Sequence, residues 1–210
     1  MIPGKIFLVL APHTDDGELG CGATISALLE AGRKVHYAAF STAAASLPRG
    51  SAPDQLRQEV VAATAALGID RDCLHLFDYE VRTLGAHRQA ILDDIIGLSA
   101  ALRPDVVFVP SRADVHQDHA TVTSEALRAF KNRTVLGYEL PWNNLTFDAD
   151  CFVVVEERHL RAKLGALAEY RTQRGRDYMR PDFIRALARV RGTQIGVSYA
   201  ETFEVVRTVF

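Results

Sequence analysis

An apolar run of strand-forming residues, Lys5 to Ala11, gives way within two positions to His13, Asp15 and Asp16. A glycine-bearing segment then leads into apolar helical spacing at Ile25, Leu28 and Leu29. A strand interior would bury two adjacent carboxylates at a large desolvation cost, so both must lie past the strand's end, where they can bind something positive. The simplest such partner is a metal ion. The run itself is continuous rather than alternating, the mark of a strand covered on both faces, as in a parallel sheet.

The rest of the chain repeats this strand–helix rhythm. Residues 35–40, 73–77, 105–110, 134–139, 151–155 and 199–210 read as strands, and helices are predicted over 22–30, 54–67, 84–102, 120–130, 156–174 and 181–190. Gly32 and Gly68 follow the first two helices as C-terminal stops. Such alternation indicates βαβ units with right-handed crossovers, hence an α/β fold with a mostly parallel sheet and helices on both faces. The length of 210 residues fits a single domain, 1–210. In sheets of this kind ligands bind beyond the carboxyl ends of the strands. The loops after Ala11 and Pro110 leave at that edge, so they are expected to face each other.

Net charge is −2, without the basic excess that a nucleic-acid binder uses to displace counterions. The distribution is uneven: from Arg158 to Arg191 ten Lys or Arg stand against three acids. Such a patch suits an anionic substrate, a solvated helix face or a contact between copies of the chain, and a homo-oligomer is compatible with it. Cys21, Cys73 and Cys151 are odd in number and outside any CxxC pattern, which argues for reduced thiols and a cytoplasmic location. No apolar stretch is long enough for a membrane span, and the apolar N-terminus lacks a cleavage site, so it is expected to enter the fold.

The first loop offers an imidazole and a carboxylate as metal ligands, with a second carboxylate to spare; the second, His116-Gln-Asp118-His119, offers two histidines three apart. One of these can bind metal while the other faces a substrate. Two histidines and a carboxylate leave coordination positions open, as in a hydrolytic rather than a structural centre. A spare carboxylate then accepts a proton from the attacking water. Gly17, Gly20 and Gly22 run in the reverse spacing of a dinucleotide-binding turn, and two acids ahead of them would repel a pyrophosphate. They are expected to let the loop turn tightly and bring the helix against the sheet.

PHTDDGELGCGATI and DVVFVPSRADVHQDH together resemble the two motifs of the PIG-L/LmbE-like family of metal-dependent de-N-acetylases, and KLGALAEYRTQ and RGTQIGVSYAETFEV resemble its later segments. The resemblance implies a Rossmann-like three-layer sandwich that removes the acetyl group from an N-acetylglucosamine-type substrate. It further implies that His13, Asp16 and His119 bind Zn2+ or another divalent ion such as Fe2+, that Asp15 is the general base, and that His116 acts as acid or oxyanion stabiliser. Thr14 and Gly17 depart from the common AHPDDE form, and Asp114 stands where the family sometimes has a mobile Tyr.

Asp114 and Asp118 have two readings, orienting an imidazole from behind or capping the following helix. Arg49, Arg82, Glu139, Trp142 and Asn143 are candidate contacts to a sugar, each on a loop at the carboxyl edge of the sheet. The basic segment directs the substrate search toward anionic, nucleotide-linked N-acetyl sugars.

Overall fold

A computed structural model describes residues 2–47 and 50–209. Among these, seven strands build one sheet: β1 (Ile6–His13), β2 (Lys34–Ser41), β3 (Leu74–Leu76), β4 (Val106–Pro110), β5 (Thr134–Tyr138), β6 (Cys151–Val155) and β7 (Tyr199–Arg207). Their order is β3-β2-β1-β4-β5-β7-β6. The first five in that order are mutually parallel, and β7 runs antiparallel to both β5 and β6.

Six longer helices cover the two faces: α1 (Asp16–Glu30), α2 (Gln55–Leu67), α3 (Arg88–Leu102), α4 (Gln117–Ala129), α5 (Glu157–Ala168) and α6 (Pro181–Gln194). The lack of alternation in β1 has its cause here. Phe7, Val9 and Ala11 point into the apolar layer beneath α1, α2, α5 and α6, while Leu8 and Leu10 point into the layer beneath α3 and α4. All five are fully buried, and each of the large side chains contributes roughly 1.5–3 kcal/mol by leaving water.

From β1 the chain moves outward through β2 to β3, then returns to the other side of β1 as β4 and continues to β5. The crevice between β1 and β4 is therefore the switch point of the sheet, where an open α/β fold binds its ligand. This is the three-layer α/β architecture expected from the sequence.

Several element boundaries shift for physical reasons. The first helix starts at Asp16, six residues earlier than its apolar spacing, and its backbone breaks at Cys21 (φ −144°, ψ 22°). The three glycines thus lie inside a helix and form no turn. A Cβ on Gly17 would stand 2.4 Å from the Tyr37 ring and one on Gly20 2.3 Å from the Tyr138 ring, so what they supply is close approach of helix to sheet. The helix expected over 84–102 begins as a 3-10 turn, Leu84–His87, and that expected over 156–174 ends at Ala168 before a 3-10 turn at Arg171–Gln173.

Candidate active site

The last residue of β1, His13, and the first of α1, Asp16, face His119 in the first turns of α4. Three donor atoms converge: His13 Nδ1 lies 3.1 Å from Asp16 Oδ2, His119 Nε2 lies 3.2 Å from the same oxygen, and the two ring nitrogens are 3.2 Å apart. Ligands about 2.0–2.1 Å from a tetrahedral zinc ion stand about 3.3–3.4 Å from one another. The triangle therefore has nearly the size of one face of such a tetrahedron, and its two nitrogens and one oxygen suit zinc or a similar borderline ion. His13, His116 and His119 can also each bring one ring nitrogen within 4.8 Å of the others. That spacing is looser than a tetrahedron edge, so the tight set is His13, Asp16 and His119.

The far side of each histidine meets a carboxylate. His13 Nε2 is 3.0 Å from Asp118 Oδ2, and His119 Nδ1 is 2.7 Å from Asp114 Oδ2. A carboxylate behind an imidazole fixes its tautomer and ring orientation, which turns the other nitrogen toward the centre. Asp118 does not cap α4: its oxygens accept the backbone N–H groups of Arg82 (2.6 Å) and Leu84 (3.2 Å). The cap is His116, whose Nδ1 accepts the Asp118 N–H at 3.2 Å. This leaves His116 Nε2 as the atom free to act. Its ring packs on His119 with centroids 4.5 Å apart.

Burial disfavours charge on His13 and His119, but the Asp16 carboxylate and the bonded aspartates outweigh it, lifting His13 to about 9 and His119 to about 10. Asp16 is pulled down in turn: burial opposes its charge, and the two facing imidazoles prevail. Asp15 has no such pairing. Burial, then the neighbouring Asp16 charge, raises it to about 6. For His116, burial followed by the charge of His119 and His13 holds the pKa below its ordinary value.

An open cleft of about 280 Å³ spreads over these groups, with Asp15 and His116 in its lining. Of the sequence-derived contacts, Arg82, Trp142 and Asn143 line it as well. Glu139 does not: it is buried on the other side of α1's first turns, bonded to the Arg191 guanidinium and to Thr202 Oγ1. Its position at a strand end misled because the carboxylate turns toward α6. Arg49 lies outside the described residues.

Among the lining residues that sequence reasoning missed are Gln173, Arg176 and Tyr178. They follow α5, where Gln173 ends the KLGALAEYRTQ segment and the other two carried no signal beyond the basic character of the stretch. Tyr178 stacks on Trp142 with centroids 4.2 Å apart and planes 12° from parallel, so an aromatic wall forms from two distant loops.

The model of the PIG-L family, described as GlcNAc-PI de-N-acetylase, matches residues 8–130, a span that contains both loops of the site. The chain belongs to the PIG-L family. An Escherichia coli relative, the uncharacterized deacetylase YaiS, is 30% identical over 176 residues, covering 80% of this chain and 91% of YaiS. Among solved structures, the conserved protein TT1542 from Thermus thermophilus superposes with a TM-score of 0.83 at 26% identity, covering 97% of this chain and 95% of TT1542. Two more distant structures share the fold at a TM-score of 0.77. They are N,N'-diacetylchitobiose deacetylase from Pyrococcus horikoshii (21% identity; 97% and 84% covered) and the 4-carboxy-2-hydroxymuconate hydratase GalB from Pseudomonas putida (20%; 98% of both). The fold thus hosts more than one reaction, and the deacetylase class rests on the family match and YaiS.

Proposed function

We propose that the protein is a zinc-dependent hydrolase that removes the acetyl group from an N-acetylated amino sugar or its conjugate. The observation that carries this reading is the triangle of His13 Nδ1, Asp16 Oδ2 and His119 Nε2, with unpaired Asp15 and the free nitrogen of His116 beside it. His13, Asp16 and His119 would hold the ion, which when bound acts as a Lewis acid and makes water a stronger acid near neutral pH.

The chain's own groups do the rest. Asp15 is ionised near pH 7, with a pKa of about 6, and takes a proton from the attacking water. Its pKa is high enough for it to hold that proton and pass it to the leaving amine. His116 is neutral and carries its proton on Nε2, because Nδ1 accepts the Asp118 N–H. It donates that N–H to the acetyl oxygen as negative charge develops there, the role of an oxyanion stabiliser rather than an acid. Trp142 and Tyr178 present the aromatic wall against which the apolar face of a sugar ring packs.

Asp15→Asn is the direct test. Turnover of N-acetylglucosamine conjugates should fall roughly 10²–10⁴-fold while metal content, measured on the same sample, stays at the wild-type level. Full activity in that variant would remove Asp15 from the mechanism. Zinc restoring activity to chelator-treated protein would exclude a non-catalytic sugar-binding module.

A further inference from the structure

The basic segment 158–191 is mostly self-neutralised in the fold. Six of its ten cations pair with carboxylates: Arg158, Arg161, Lys163, Arg180, Arg185 and Arg191. Of the four others, Arg176 alone lines the cleft. Its Nε donates to Gln173 Oε1 at 2.7 Å, and its guanidinium sits 5.8 Å from the Tyr178 ring centroid. Gln173 is itself buried and tied through Thr172 to the buried carboxylate of Glu59 (2.6 Å). This chain of bonds fixes one edge of a guanidinium that lines the cleft.

A second cation stands in the same lining. Arg82 has a left-handed backbone (φ 71°), a conformation that costs a non-glycine residue free energy. The bond from its N–H to Asp118 holds it there, and its guanidinium reaches Ser46 Oγ at 3.1 Å. Neither Arg82 nor Arg176 has a carboxylate within 4.0 Å among the described residues. Two guanidinium groups without a carboxylate partner thus line one small cleft, and a guanidinium offers parallel N–H donors that match carboxylate or phosphate.

We infer that Arg176, with Arg82, binds an oxyanion carried by the substrate, so that the cleft selects an N-acetylated sugar bearing a phosphate or carboxylate over its neutral parent. The inference rests on the deacetylase reading for what happens at the metal end, and on the two arginines for the selection.

The test compares three substrates on zinc-loaded protein: N-acetylglucosamine, N-acetylglucosamine 6-phosphate and N-acetylmuramic acid. Wild type should prefer at least one anionic sugar by tenfold or more in kcat/KM, mainly through KM, and the two anionic arms separate phosphate from carboxylate. In Arg176→Met the ratio of anionic to neutral kcat/KM should drop at least tenfold, and Arg176→Lys should recover part of it. Damage relayed through Asp15 would lower both substrates together and leave the ratio intact. An unchanged ratio, or a wild-type preference for the neutral sugar, overturns the inference and spares the deacetylase reading. Calorimetric binding of the anionic sugars that depends on Arg176, without hydrolysis of any of the three, would sink the deacetylase reading instead and leave the receptor standing.

Discussion

In the loop between β1 and α1 the Asp16 carboxylate accepts the His13 N–H at 2.8 Å, but the anchors at Thr14 are neutral groups. The Thr14 carbonyl accepts the hydroxyls of Tyr37 (2.8 Å) and Tyr170 (2.6 Å), both of which also contact the fully buried Glu18 carboxyl. Glu18 has no cation within salt-bridge reach among the described residues, and burial pushes it up to about 8 against the pull of the tyrosines. Its own proton helps to fill four oxygen–oxygen contacts that two tyrosine hydrogens cannot satisfy. In the loop between β4 and α4, by contrast, carboxylates do the holding. Asp114 accepts the His116 N–H at 2.8 Å, Asp118 the Arg82 N–H, and Glu204 the Arg112 N–H at 2.9 Å. The first loop keeps its charge for Asp15 and Asp16, the groups that line the cleft. The second spends charge behind the histidines, where it aims them and makes them more basic.

If that division is right, the two loops should fail differently. Asp16→Ala removes an apex of the triangle, and the protein should neither retain zinc in metal analysis nor deacetylate measurably. Asp118→Asn and Asp114→Asn, which back a ring and hold loop N–H groups but are no apex of the triangle, should weaken zinc about 10–100-fold and keep a functional centre at high zinc. Equal losses in all three would erase the distinction.

Protons sharpen the comparison at a smaller scale. His13 (about 9) and His119 (about 10) are raised above 6.5 by the carboxylates around them, so a zinc ion held there as proposed would have to displace their protons. Affinity should climb with pH up to about 9, by as much as about a hundredfold per unit if two protons leave. Calorimetry in buffers of different ionisation enthalpy should count nearly two released at pH 7. For the metal-free protein the sign is opposite. Raised histidines contribute stability that is complete below pH 6.5 and lost as pH rises through 9 and 10, whereas lowered Asp16 contributes above 3.8 and fades on acidification. Its melting temperature should therefore decline between pH 6.5 and 10, and a flat profile would count against charged histidines.

Glu18 should act on stability and leave zinc binding alone. Glu18→Gln mimics the protonated acid, so stability should match wild type near pH 4 and exceed it by a margin that widens between pH 4.5 and about 8, by up to about 1.4 kcal/mol per pH unit, because over that range the wild-type chain must take up a proton to bury the carboxyl. A variant that is less stable across that whole range would show that the loop needs the carboxylate's charge.

The sequence by itself determined the architecture and the loaded ends of two strands. Seven short apolar or β-branched runs separated by helical spacing admit few packings, and paired carboxylates directly after a buried strand have nowhere to go but its carboxyl edge. That His13, Asp16 and His119 come together was legible for that reason, with Asp15 the carboxylate left outside their cluster. Long-range aim was not legible. That Asp118 backs His13 across 105 positions, that Glu139 turns to Arg191, and that Arg176 alone among ten cations reaches the cleft are set by which faces the helices bury. Side-chain direction on a loop has no period to read. It is decided only when packing fixes the backbone and each buried polar group must find its partner.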